Sequence, residues 1–116
     1  MIRQVRLELA RCHDFPEGSR DHGYELSLPL TRDGHLDRED WRKHRENAGF
    51  RRFWAAEEER GQLRHGRHGW LLTFGPGTDA EEVIFRGDEH RFAAGEYISI
   101  KERDGITRVF RVASVR

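Results

Sequence analysis

The sequence predicts a β-rich α+β domain: about seven or eight short, mostly antiparallel strands in a barrel-like or two-layer sheet, with one main helix over about residues 38–48. Three observations carry that expectation. Apolar residues recur with period two in several separate stretches, the spacing of strands buried on one face. One segment alone carries the start, stop and charge signals of a helix. Hydrophobic residues make up 35% and charged residues 36% of the 116, so the core is thin and the surface densely charged. That length holds one core, and 1–116 reads as a single domain.

Taken in order, Val5, Leu7 and Leu9 alternate with Arg6, Glu8 and Ala10 and mark the first strand. Residues 12–23, CHDFPEGSRDHG, are rich in Pro, Gly, Asp and Ser and read as a long connection. Tyr24, Leu26, Leu28 and Leu30 form the second strand, in which Pro29, with no N–H to donate, makes the strand an edge or ends its pairing. Asp33-Gly34 is a turn. For the helix, Asp37 is the N-cap, Glu39 and Asp40 occupy the first turn, and Lys43, His44 and Arg45 lie near the end, all complementing the helix dipole. Leu36 and Trp41 stand at the spacing of a hydrophobic staple. Trp41, His44 or Arg45, and Ala48 form the inner stripe, and Gly49 suits the left-handed residue beyond the last turn.

FRRFWAA, 50–56, reads as a strand and EEERG as a charged turn. A hairpin follows, with Leu63 and His65 on one arm and Trp70, Leu72 and Phe74 on the other. GPGTDAEE is an acidic loop, Val83–Phe85 a short strand and RGDEH a turn. In the last hairpin a three-residue loop at Arg103-Asp104-Gly105 pairs Ile98 with Phe110 and puts Gly105 in the left-handed position of a bulged turn. Tyr97 and Val109 fall on the opposite face, so these strands read as central or as covered by the helix.

The totals exclude several classes. The aromatic share of 10% argues against disorder. With 21 basic and 21 acidic residues the formal charge is zero, which argues against a dedicated nucleic-acid binder. Cys12 is the single cysteine, so no internal disulfide staples the core. No run approaches the roughly 20 apolar residues of a membrane span, and MIRQVRLELA lacks the apolar stretch of a signal peptide. A cytoplasmic protein with no membrane partner is the expectation.

Three short stretches are candidate sites. RHGRHGW, 64–70, places His65 and His68 near each other, and His90 with Asp88 or Glu89 could complete a zinc site. Residues three apart on a strand point to opposite faces, so the plain reading is a hairpin turn leading into a core tryptophan. RCHD, 11–14, with His22 downstream, has ligand and nucleophile chemistry in Cys12, His13 and Asp14, against which Cys12 reads as a small buried residue closing the first strand. FRRFW sets Arg51 and Arg52 beside Trp54, the composition of a single-stranded nucleic-acid surface, with Arg51 and Phe53 on one face and Arg52 and Trp54 on the other. The acidic runs at 57–59 and 79–82 lack the order of a calcium loop, and GSRDHG does not match a nucleophile elbow, leaving Ser19 without an evident partner.

VRLELARCHDFPEGSRDHGYE, DGHLDREDW, RRFW, HRFAAGEYISI and DGITRVFRV together resemble a family of small uncharacterised proteobacterial proteins of unknown function. The resemblance covers nearly the whole chain. It implies a bacterial, cytoplasmic, single-domain protein and brings no activity, cofactor or catalytic residue with it. The residues themselves point to a non-enzymatic binding or interaction module, with an unknown protein partner or a homodimer through an exposed strand edge. A metal-binding protein or metal-dependent hydrolase using His65, His68 and His90 is the first alternative. A single-stranded nucleic-acid binder through Arg51, Arg52 and Trp54 is the second.

Overall fold

The structure is a computed structural model and describes residues 1–67, 69–75, 81–86 and 90–116. Its strands are β1 (Ile2–Leu9), β2 (Ser19–Pro29), β3 (Gly49–Trp54), β4 (Glu57–Gly66), β5 (Gly69–Phe74), β6 (Glu81–Phe85), β7 (Tyr97–Lys101) and β8 (Thr107–Val115), with the helix α1 (Arg38–His44) between β2 and β3. Every ladder is antiparallel. The sheet order is β6-β5-β4-β3-β2-β1-β8-β7, so consecutive strands pair from β1 to β6 and again from β7 to β8, and β8 returns to pair with β1. β6 and β7, the two ends of that order, come within 8 Å of each other, Cα to Cα. The result is a nearly closed up-and-down barrel with one seam.

Alternation decides what fills the barrel. Val5, Leu7 and Leu9 of β1, Tyr24, Leu26 and Leu28 of β2, Trp70, Leu72 and Phe74 of β5, Ile98 and Ile100 of β7, and Phe110 and Val112 of β8 are all buried. Each such side chain removed from water contributes about 1.5–3 kcal/mol. In a barrel of eight strands the interior is just wide enough for side chains to fill it. Close packing requires Gly61: a Cβ there would stand 2.0 Å from the Thr73 carbonyl oxygen and 2.6 Å from the Phe50 ring. The absent side chain lets Phe50 meet Phe74 edge to face at 4.8 Å.

One end of the barrel is closed by rings. Asp37 caps α1 by accepting from the Asp40 amide, and the helix delivers Trp41 into the core, 5.6 Å from Trp70. β4 runs past the start of β3. Its Leu63 amide donates to Ala48 O at 3.1 Å, and the Trp41 indole N–H donates to the Leu63 carbonyl at 2.9 Å, taking the place of the missing strand. Phe92 plugs the same end, 6.0 Å from Phe85.

Several expectations are corrected. The helix expected over about 38–48 does form, as α1 continued by a 3-10 turn over Arg45–Asn47, but of its inner stripe only Trp41 and Ala48 are buried, with His44 and Arg45 both exposed. Gly49 does not end the helix in a left-handed conformation; it is the first residue of β3, paired with Gln62. Glu57–Glu59 are strand, not turn, because Ala55 and Ala56 make the reversal, with Ala55 at φ 55, and the glutamates stand opposite Trp54, Phe53 and Arg52. β2 begins at Ser19, so the first connection is shorter than expected, and Pro29 ends its pairing rather than marking an edge. Tyr97 and Val109 are 59% and 40% exposed, since the helix closes the barrel end and leaves the β7–β8 hairpin uncovered. Cys12 is exposed, not buried, because β1 ends at Leu9. The last hairpin forms as expected, with Ile98 opposite Phe110 and Gly105 at φ 84.

Candidate functional site

The inner face of the sheet turns polar at the end away from Trp41. Arg52, Glu102 and Arg108 occupy the same parity as Phe50 on β3, Ile100 on β7 and Phe110 on β8, so alternation carries three charges inward. Glu102, whose side chain is 5% exposed, is the hub. Arg52 grips it twice, Nε to Oε2 at 2.7 Å and Nη2 to Oε1 at 3.1 Å. Arg108 Nη1 donates to Oε1 at 2.8 Å, and the Tyr24 hydroxyl donates to Oε2 at 2.5 Å. Arg108 also pairs with Asp104 at 2.9 Å, and the Arg52 guanidinium lies 4.2 Å above the Trp54 ring.

Burial alone would raise the Glu102 pKa, but hydrogen bonds from Arg52 and Tyr24, the Arg52 charge and a hydrogen bond from Arg108 together hold it below the ordinary carboxylate range. Burial pushes the Tyr24 phenol upward, and the neighbouring carboxylate pushes it further. With both oxygens of Glu102 engaged by donors, the cluster is a closed lock that ties β2 and β3 to the β7–β8 hairpin.

Arg51, one residue earlier, lies on the outside. It reaches Glu25 at 3.0 Å and Glu58 at 3.2 Å. With Arg6 it covers the Phe53 ring, at 5.0 and 4.6 Å. The structure therefore separates the three residues considered for nucleic acid: Arg51 outside in an ion-pair lattice, Arg52 and Trp54 inside the barrel mouth.

His65 packs edge-on to Trp70 at 4.8 Å and lies 6.1 Å from Trp41, while His90 is half-buried. His68, Asp88 and Glu89 lie outside the described residues, and among the described residues no three His, Cys, Asp or Glu side chains gather as a metal group. β4 and β5 pair Gly66 with Gly69, and Trp70 is buried, as the hairpin reading requires. His13 and Asp14 are fully exposed beside Cys12. Ser19 does have a partner: its Oγ meets His22 Nδ1 at 2.6 Å and accepts from the Asp21 amide at 3.2 Å. The pair spans the irregularity where the β1–β2 register jumps from Glu8↔Gly23 to Leu9↔Ser19, and His22 is wedged between Phe15 and Trp54. That is a staple across a bulge.

Two outer features have the character of a binding surface. Among the described residues, the large exposed hydrophobics are Met1, Ile84, Tyr97, Ile106 and Val109, and all but Met1 belong to the β6–β8 side. Along the seam, a groove of about 590 Å³ is lined by Glu82, Ile84, Ser99 and Lys101 among others. Around the corner, a depression of about 550 Å³ is bounded by the β1–β2 connection, with Arg11 and Arg20, and by Tyr97, Val109 and Arg111. Sequence reasoning did not reach the depression, since it read the strands carrying Tyr97 and Val109 as central or as covered by the helix. No helix of the described residues is long and apolar enough to cross a membrane. The chain matches no protein-family model, no curated protein and no solved structure.

Proposed function

We propose that this barrel is a non-enzymatic interaction module that works as a homodimer, with the second copy laid over the β6–β7 seam. The observation that carries the reading is the seam itself. Among the described residues no ladder joins β6 to β7, so two strand edges keep backbone donors and acceptors without strand partners, the arrangement that invites pairing with another chain. Ile84, 55% exposed, lines its groove.

The charges of the seam favour a second copy as the occupant. Glu82 on β6 and Lys101 on β7 line the same groove, and a two-fold axis through it would bring each acid to the other copy's base. An isologous contact needs that self-complementarity. A filled interior, closed by Trp41 and Phe92 at one end and by the Glu102 cluster at the other, supports binding on the outside.

Sedimentation equilibrium over micromolar to millimolar protein tests the reading. A dimer that Ile84→Lys converts to monomer, with helix and strand content unchanged, is the expected result. A wild-type chain that stays monomeric throughout, or a dimer indifferent to Ile84→Lys and to Lys101→Glu, would overturn it.

A further inference from the structure

We infer that the depression between the β1–β2 connection and the outer faces of β7 and β8 receives an acidic peptide segment that carries an apolar side chain. The inference uses a different face from the seam and holds whether or not the chain dimerises.

Its first support is the state of the arginines. Most of those on the outer face of β1–β4 are spent on carboxylates of the same chain: Arg6 on Glu8 and Glu25, Arg51 on Glu25 and Glu58, Arg60 on Glu58. Arg11, Arg20 and Arg111 line one depression, and among the described residues none of their guanidinium groups has a hydrogen-bond or ion-pair partner. They come from three elements, the β1–β2 connection, the start of β2 and β8, so the charge surrounds the depression. Glu8, also at the rim, is taken by Arg6 at 2.8 Å, which leaves Glu17 as the acid set against three cations.

The second support is the floor. Tyr97 and Val109, 59% and 40% exposed, offer apolar surface between those cations, with Arg111 directly opposite Tyr97 in the ladder. Guanidinium groups bind carboxylates in paired, charge-assisted hydrogen bonds, and an exposed tyrosine is a favoured anchor at interfaces. A shallow depression on the outside of a sheet leaves a small ligand mostly in water, whereas a peptide can cover it and satisfy several cations at once. An extended segment with glutamates or aspartates flanking a leucine or an aromatic residue matches both the charge and the floor.

Selection from a display library of random peptides, run in parallel on the wild-type chain and on an Arg11→Ala/Arg20→Ala/Arg111→Ala variant, tests the inference. These side chains are exposed and unpaired, so the variant should melt with the wild type, which a thermal scan checks first. Expected is enrichment of acidic peptides with an apolar residue on the wild type, lost on the variant. Synthetic copies should bind about tenfold more weakly to Tyr97→Ser and weaken as salt rises. No enrichment, enrichment without an acidic excess, or enrichment that survives in the variant would overturn it. So would saturable binding of a mixed single-stranded oligonucleotide that the triple variant loses, since it would give the depression to phosphate backbones.

Discussion

Arg51 and Arg52 are adjacent in sequence, sit on one strand and both pair with carboxylates, yet they do different work. Arg51 faces outward to Glu25 and Glu58, whose side chains are 44% and 45% exposed. Water and ions compete for every one of those contacts. Arg52, 14% exposed, faces inward to a carboxylate that is 5% exposed, where little water is at hand to replace the partner it would lose. The difference teaches that a charge is weighed by its surroundings: exposed pairs contribute about 0–1 kcal/mol, while breaking a buried pair costs about 3–5 kcal/mol because the remaining charge is stranded.

The sharpest way to break the comparison is to truncate each arginine. Arg52→Ala should lower the unfolding free energy in urea by about 3–5 kcal/mol, and Glu102→Gln should follow it, whereas Arg51→Ala should cost less than about 1 kcal/mol. Equal losses would mean that the inner cluster is as hydrated as the outer lattice. Trp41→Phe comes next. It keeps a ring in the barrel end but leaves the Leu63 carbonyl unpartnered, for an expected loss of about 1–3 kcal/mol by the same assay.

The pH dependence of stability follows from the same inner groups. Glu102 titrates below the ordinary 4.5 in the folded chain, so its contribution is present above that pH and is lost as pH falls through the folded value. Tyr24 is raised above its ordinary 10.0, so its contribution is complete below that pH and is lost as pH rises towards the folded value. Each titration has a limiting slope of about 1.4 kcal/mol per pH unit. Chemical denaturation at a series of pH values should show both flanks in the wild type, with the acid flank shallower in Glu102→Gln. The smallest effect belongs to the outer face. Thr73 is buried, and its hydroxyl has no partner among the described residues, so Thr73→Val should be neutral or raise stability by up to about 1 kcal/mol.

Much of this fold was legible because alternation is a local signal. Val5, Leu7 and Leu9, the Tyr24–Leu28 run and the Ile98–Phe110 register follow from side-chain parity and from a three-residue turn with glycine at its end. The Glu57–Glu59 segment was misread because charge normally marks a turn, whereas here the ladder to β3 sets those acids beside Arg52, Phe53 and Trp54. The Glu102 lock was within reach in part: Arg52, Glu102 and Arg108 each fall on an apolar parity, which flags a charge bound for the interior. That Arg52 and Tyr24 meet Glu102 beside Arg108 depends on closing the sheet, and spacing along the chain does not carry that information. The outer depression was hidden because apolar residues on both faces of β7 and β8 suggest strands that are central or covered by the helix, whereas Tyr97 and Val109 are exposed.

The strand order also governs how the chain finds its fold. The strands from β1 to β6, and separately the β7–β8 hairpin, could pair by local steps, but the ladder of Val5–Leu9 against Phe110–Val115 joins the two ends of the sequence. Local hairpins form in microseconds, whereas loop-closure entropy opposes a contact between distant segments until they meet. Circularity thus makes refolding wait on its most distant pairing, as for other sheets rich in non-local contacts. Until β8 reaches β1, Glu102 and Arg108, paired within the last hairpin, stand apart from Tyr24 and Arg52, and the inner charges have no enclosed site to occupy.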